Sequence, residues 1–130
     1  MMSRILVIGD PGMNELIRLI LERQRDHVRC TSDGRIGLSA AEQDRPDMVI
    51  IYLWTQGLNA FEFYQQAKVS PTLRDIPILF YGGMAPEEAY PMIQPIGAQG
   101  YLCAPFTKAE LVTARDALLR GETYFPLQLG

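Results

Sequence analysis

Two short apolar runs, Ile5-Leu-Val-Ile8 and Met48-Val-Ile-Ile-Tyr-Leu53, restrict this chain to a small set of folds. Both are rich in β-branched residues and neither alternates apolar with polar, which is the pattern of strands covered on both faces. They read as central strands of a parallel sheet. A third run, Ile76-Pro-Ile-Leu-Phe-Tyr81, ends at Gly82-Gly83, and shorter runs from Val28 to Thr31 and from Gln99 to Cys103 supply two more strands. Between them the spacing turns helical: Leu16, Ile17, Ile20 and Leu21 are predicted to share one helix face, and Phe61, Tyr64 and the aliphatic stem of Lys68 another. The last helix is predicted to open at Thr107 as N-cap, with Glu110 completing a capping box, and to run to Arg120 with Gly121 as its stop. Strand and helix alternating over connections this short imply a parallel sheet with helices on both faces.

One segment departs from the pattern. Between Ala85 and Gly97 stand Pro86, Pro91 and Pro95. The first fits a helix start, but the others remove backbone donors and crowd the preceding turn, so the fourth helix is expected to be short, kinked or irregular. At 130 residues the chain is one domain's worth, able to bury a core without disulfides or metals. The stretch 122–130 has no helical spacing and reads as a C-terminal tail or linker after a domain spanning 1–121.

Composition narrows function mainly by exclusion. Twelve basic and fifteen acidic residues, a net charge of -3, are spread along the chain, leaving no footprint for a nucleic-acid backbone. Only five apolar or small residues separate Met-Met-Ser-Arg from Asp10, too few for a secretory signal or a membrane span. A cytoplasmic location is expected. Cys30 and Cys103 lie in separate strand-like runs and are expected as small buried thiols rather than a bridge or metal site. His27 is the only histidine, so neither a catalytic triad nor a multi-histidine metal site can form; it is expected at the surface.

Five segments, in order and spacing, resemble a response-regulator receiver domain. They are Arg4-Ile-Leu-Val-Ile-Gly-Asp10, Thr31-Ser-Asp-Gly-Arg-Ile-Gly-Leu38, Arg45-Pro-Asp-Met-Val-Ile-Ile-Tyr-Leu53, Asp75-Ile-Pro-Ile-Leu-Phe-Tyr-Gly-Gly83 and Gly97-Ala-Gln-Gly-Tyr-Leu-Cys-Ala-Pro-Phe106. The resemblance extends from Arg4 to about Leu119. It implies a flavodoxin-like (CheY-like) α/β fold, a doubly wound five-stranded parallel sheet in the order 2-1-3-4-5, with the site at the carboxyl ends of the strands.

In that family two acids after the first strand and an acceptor aspartate after the third hold magnesium, a hard cation wanting oxygen ligands. Here the resemblance places Gly9 and Asp10 at the acids and Tyr52 at the acceptor. The hydroxyl residue that contacts the phosphoryl group maps to Gly82, and the lysine that pairs with it to Ala104. One carboxylate of three is left, and the ammonium is gone. Phosphoryl transfer depends on such preorganised charge. Tyr52 carries a phenol with a pKa near 10, a poor substitute for a carboxylate. Its ring is expected to fill the vacated volume, its hydroxyl bonded to Asp10 or water.

Other positions have modest readings. Asp10 in Gly9-Asp10-Pro11-Gly12 fits turn chemistry capping the first helix as well as a weak metal ligand. Gly82-Gly83 reads as a turn, since two adjacent glycines alone do not specify a phosphate loop. Tyr101 maps to an aromatic that in the family swings inward with the hydroxyl residue; with Gly82 in that residue's place it is either packing or, with Pro91 and Pro95, part of a partner surface. Ala104-Pro105 matches a bond that is cis in the family. Trp54 is a lid over the site or an exposed contact. Glu87 and Glu88 are first-turn helix acids facing the dipole.

The resulting expectation is a non-enzymatic pseudo-receiver of two-component signalling, with no cofactor and no metal. It would bind a protein partner (a kinase, an output domain or a regulator) or a second copy through the fourth helix, fifth strand and fifth helix. The closing stretch Leu118-Leu-Arg-Gly-Glu-Thr-Tyr-Phe-Pro126 resembles the exit from receivers that precede LuxR-type DNA-binding domains. Two rivals stand beside it: a small-molecule sensor using the emptied crevice, and a receiver phosphorylated on Asp10.

Overall fold

Ten elements alternate along the chain: β1 (Arg4–Ile8), α1 (Pro11–Glu22), β2 (His27–Thr31), α2 (Gly34–Gln43), β3 (Met48–Tyr52), α3 (Ala60–Lys68), β4 (Ile78–Gly82), α4 (Pro86–Ile93), β5 (Gly100–Cys103) and α5 (Lys108–Leu119). The computed structural model describes residues 2–126. All strand pairs are parallel and the sheet order is β2-β1-β3-β4-β5. Successive side chains of a strand point to opposite faces, which divides the core in two. Leu6, Ile8, Val49, Ile51 and Phe80 pack with Ala41 of α2, Phe63 of α3 and Ile93 of α4. Ile5, Val7, Ile50, Leu79 and Tyr81 pack with Ile17 and Leu21 of α1 and Leu111 and Leu118 of α5. The unalternating apolar runs are thus explained by helices on both sides of the sheet.

Caps define the helix ends. Thr107 and Glu110 form the capping box of α5, and Gly121 follows it with a φ of 80°. Asn59 and Glu62 form a second box at α3 that the sequence reading passed over. α4 is eight residues long with Pro91 inside it, short as three prolines require.

Several expectations need correction. The buried face of α1 is Asn14, Ile17 and Leu21, while Leu16 points to solvent. Asn14 goes inside because its amide donates to the carbonyls of Gly9 at 2.9 Å and Thr31 at 3.1 Å. On α3 the inward face is Ala60, Phe63, Tyr64 and Ala67, with Phe61 at its margin. Neither thiol is fully buried: Cys30 is exposed on edge strand β2, and Cys103 is partly covered at the end of β5. Asp26, in the α1–β2 turn, is buried and ion-paired with Arg115 of α5.

The stretch after Gly121 is partly described. Its residues 122–126 lie against the domain. The amide of Tyr124 donates to the Gln99 carbonyl at 2.9 Å, and the Tyr101 amide donates to the Tyr124 carbonyl at 3.0 Å, making a parallel bridge beside Gly100. Phe125 joins the α4 side of the core. The rest of the expected tail, 127–130, lies outside the described residues.

Candidate functional site at the carboxyl ends of the strands

The β1–α1 turn and the β3–α3 loop face each other across an open cleft of about 260 Å³. Gly9 and Asp10 form one wall, Tyr52, Trp54 and Gln56 the other, and Ser32 closes one side. The loop is held by a parallel bridge between Asp33 and Gln56, in which the Gly34 amide donates to the Gln56 carbonyl at 2.7 Å, while the Asp33 side chain caps α2 by accepting from the amides of Arg35 and Ile36. Trp54, half exposed, leans on Phe61 with ring centroids 5.8 Å apart and lines the cleft without covering it.

Asp10 is the one carboxylate lining the cleft, and it is engaged. As N-cap of α1 its Oδ2 accepts the Met13 amide at 3.1 Å. Among the described residues no three His, Cys, Asp or Glu side chains gather to hold a metal ion. The magnesium implied by the family resemblance therefore finds a single carboxylate already used as a cap, a donor set that does not fit a cation wanting several hard oxygens.

Tyr52 does not fill the space beneath the cleft. Its ring is half-buried and forms part of the wall, and among the described residues its hydroxyl bonds neither Asp10 nor any other protein group. The volume is taken by Tyr81, its register partner on β4, with ring centroids 5.5 Å apart. The Tyr81 ring reaches Gly9 so closely that a Cβ there would overlap its hydroxyl, with Asn14 Oδ1 3.2 Å from the same point. Phe106 packs edge-on against Tyr81 from the far side at 6.3 Å. The plug is thus an aromatic group of three, with Tyr81 at its centre.

Burial of Tyr81 has an electrostatic consequence. Desolvation pushes its phenol far above the ordinary range, and the charge of nearby Asp10 adds to the shift. The group is neutral at physiological pH. Both its hydroxyl and Asn14 Oδ1 are buried without a hydrogen-bond partner of good geometry.

Gly82, the last residue of β4, is similarly enclosed. A Cβ there would come 2.9 Å from Leu53 Cδ1 and 3.5 Å from the Tyr101 hydroxyl. Tyr101 itself is 1% exposed, so it belongs to the interior and not to a partner surface. Its hydroxyl donates to the Met84 carbonyl at 2.6 Å, with the Gly82 carbonyl 3.0 Å away. Pro91 and Pro95 are exposed on and after α4. Ala104 donates its amide to the Gly82 carbonyl at 2.8 Å, and the Ala104–Pro105 bond is cis. His27 is exposed at the start of β2, at the opposite end of the sheet from the cleft.

Tyr81 and Asn14 are the site residues that sequence reasoning missed. The signal was faint but present: a glycine at the end of one strand and a large aromatic at the end of another, two strands away on the same sheet face.

Comparison with known proteins gives a consistent picture. No family model matches the chain. It is 29% identical over 126 residues to the DNA-binding dual master transcriptional regulator RpaA of Synechocystis sp., covering 96% of this chain and 52% of that protein. To Protein PilH of Pseudomonas aeruginosa it is 28% identical over 122 residues, 92% of this chain and 100% of that protein. The chain spans about half the length of the first curated relatives it matches. Among solved structures, the chemotaxis response regulator CheY4 of Vibrio cholerae superposes with a TM-score of 0.83 at 22% identity, over 89% of this chain and 98% of that one. No described helix is long and apolar enough to cross a membrane. The chain therefore has the CheY-like fold, and along nearly its whole length it is similar in sequence to response regulators, among them the response regulator MprA of Mycolicibacterium vanbaalenii at 32% identity over 121 residues, 92% of this chain and 52% of that protein.

Proposed function

We propose that this receiver domain works without phosphate, as a pseudo-receiver that signals through protein contacts. The observation that carries the reading is the Tyr81 hydroxyl, which a Cβ on residue 9 would overlap. Restoring an acid at Gly9 would require more than a codon change, because the space it needs is already filled from β4. The single carboxylate of the cleft, Asp10, caps a helix. No lysine stands at Ala104 and no hydroxyl at Gly82 to neutralise or orient a phosphoryl group. Without those charges the preorganisation that drives phosphoryl transfer is missing. The partner on this reading is a kinase, an output domain, another regulator or a second copy, and its docking face is formed by α4, β5 and α5. The domain neither catalyses a reaction nor takes a cofactor.

The test is incubation with a small phosphodonor and Mg²⁺ followed by intact mass measurement. The unmodified mass is expected throughout. A gain of one phosphoryl group that disappears in Asp10→Asn would overturn the proposal.

A second reading is favoured by one observation: Tyr52 and Trp54 line the cleft but leave it open. A small ligand could then take the place that metal and phosphate hold in active receivers, since ligands of open α/β sheets favour this crevice. A concentration-dependent rise in melting temperature with a small anion or nucleotide, lost in Trp54→Ala, would support it. A flat response across such a panel would remove it.

A further inference from the structure

We propose that the groove between α4 and the outer edge of β5 is a docking site for an extended aromatic segment, filled here by Glu122–Pro126, and that a partner segment of the same character enters by displacing it. β5 is an edge strand, so its outward backbone groups are open to strand addition. Residues 122–126 use that opening in the parallel sense, through the Gln99 carbonyl and the Tyr101 amide.

The groove is shaped for this approach. Gly100 lies opposite Tyr124, and a Cβ on Gly100 would come within 3.0 Å of the Tyr124 carbonyl, so the close approach depends on a missing side chain. Tyr90 of α4 forms the other wall. Its hydroxyl donates to the Pro126 carbonyl at 2.7 Å, and its ring meets Phe125 edge-on at 5.2 Å and 84°. The features of the occupant are therefore an extended backbone, an aromatic ring for Tyr90 and a carbonyl one residue later.

The hold is also light enough to be exchanged. Two main-chain hydrogen bonds fix the segment to β5, Tyr124 and Phe125 are only half-buried, and Pro126 is exposed. Its docking is connected to the interior: Tyr90 stacks on Tyr101 at 6.2 Å and 85°, and the Tyr101 hydroxyl ties down the Met84 carbonyl of the β4–α4 loop. The line Phe125–Tyr90–Tyr101–Met84 runs from the groove to the cleft end of the sheet. An occupant of the groove is thereby linked to the β4–α4 loop.

The inference takes from the reading above only that partners use this face, and it stands or falls independently of phosphorylation. The test uses the full chain and, as probe, a labelled capped peptide with the sequence of residues 121–126. In Phe125→Ala the chain's own segment is loosened. The amides of Tyr101 and Tyr124 are expected to exchange with solvent at least about tenfold faster while that of Ile50 is unchanged, and the peptide to bind about tenfold more tightly than to the wild type. Adding Tyr90→Ala should abolish that gain. Tyr90→Phe, which removes only the hydroxyl, gives a smaller increase in Tyr101 exchange and serves if Phe125→Ala does not fold. Unchanged Tyr101 exchange in these variants, or equal peptide affinity for Phe125→Ala and wild type, would overturn the proposal. A phosphoryl gain in the mass experiment would refute the pseudo-receiver reading and leave these readouts where they are.

Discussion

The hydroxyl of Tyr81 lies so close to Gly9 that a Cβ there would overlap it. Gly9 follows the last residue of β1 and Tyr81 is the penultimate residue of β4, with β3 between the two strands, and they meet because parallel register brings these positions level and the Tyr81 ring is long enough to pass beneath Tyr52. A small residue on one strand and a large one on another have become a single packing unit. Substitution at either should be read through the other.

Gly9→Asp is expected to destabilise the domain by about 2–3 kcal/mol, the scale of overpacking in a filled interior. Tyr81→Val opens the space, and the double variant should lie at least about 1 kcal/mol above the sum of the single effects. Urea unfolding of the four proteins checks the cycle; additive effects would mean that the two side chains do not compete.

Tyr81→Phe removes a buried hydroxyl that has no well-formed partner. Losing an unpaired polar group costs little, so stability at neutral pH should change by less than about 1 kcal/mol. A larger loss would reveal a hydrogen bond that the geometry does not show.

Alkaline solution should unfold the domain through its phenols. Burial raises the pKa of both Tyr81 and Tyr101 above the ordinary phenol value. The folded state then holds these protons more tightly than the unfolded chain, so their contribution is complete below about pH 10 and declines as pH rises toward the folded pKa. Urea midpoints should fall above about pH 10, and less steeply in Tyr81→Phe. Phenolate absorbance from these two groups should appear together with loss of helix, not before it.

Arg115 and Asp26 form the ion pair most sensitive to deletion. Both guanidinium edges are used: Nε and Nη2 donate to the Asp26 carboxylate and Nη1 donates to Asp116 at 2.7 Å. The Asp26 side chain is fully buried. Arg115→Met leaves that carboxylate inside without its cation, at a cost of about 3 kcal/mol, and Arg115→Met with Asp26→Asn should recover a substantial part. Thermal or urea unfolding measures both; equal stability of the two variants would mean that Asp26 reaches solvent on its own.

Tyr52→Asp alone should not accept a phosphoryl group from a small phosphodonor with Mg²⁺. The new carboxylate would face a helix-capping Asp10, with Gly9, Gly82 and Ala104 unchanged. Intact mass measurement decides, and visible turnover would show that fewer of these positions are needed than their chemistry implies.

Much of the fold was legible because burial on both faces writes itself directly into a strand: Ile5–Ile8 and Met48–Tyr52 could hardly be anything else. The Thr107–Glu110 box was read and the Asn59–Glu62 box was not, although both follow the same spacing, because an asparagine after Gly57-Leu58 looks like ordinary loop. Helix faces were less legible. An apolar count put Leu16 inside and left out Asn14, whose burial depends on two carbonyls that only the fold brings near. The contacts of the candidate site were not legible, because which ring approaches Gly9 is set by register between strands. The docking of residues 122–126 was not legible for a related reason. Glu122–Pro126 has no helical or strand periodicity of its own, and its conformation is imposed by the edge it lies on.

The two edges of the sheet differ in what protects them. β2 carries His27 and Arg29 facing outward, charges and polar groups of the kind that discourage a neighbouring chain from pairing. β5 reads Gly-Tyr-Leu-Cys, with no charge at all, and its guard is the segment laid beside it. Aggregation risk in this domain is therefore concentrated at one place, since each release of residues 122–126 bares an uncharged strand.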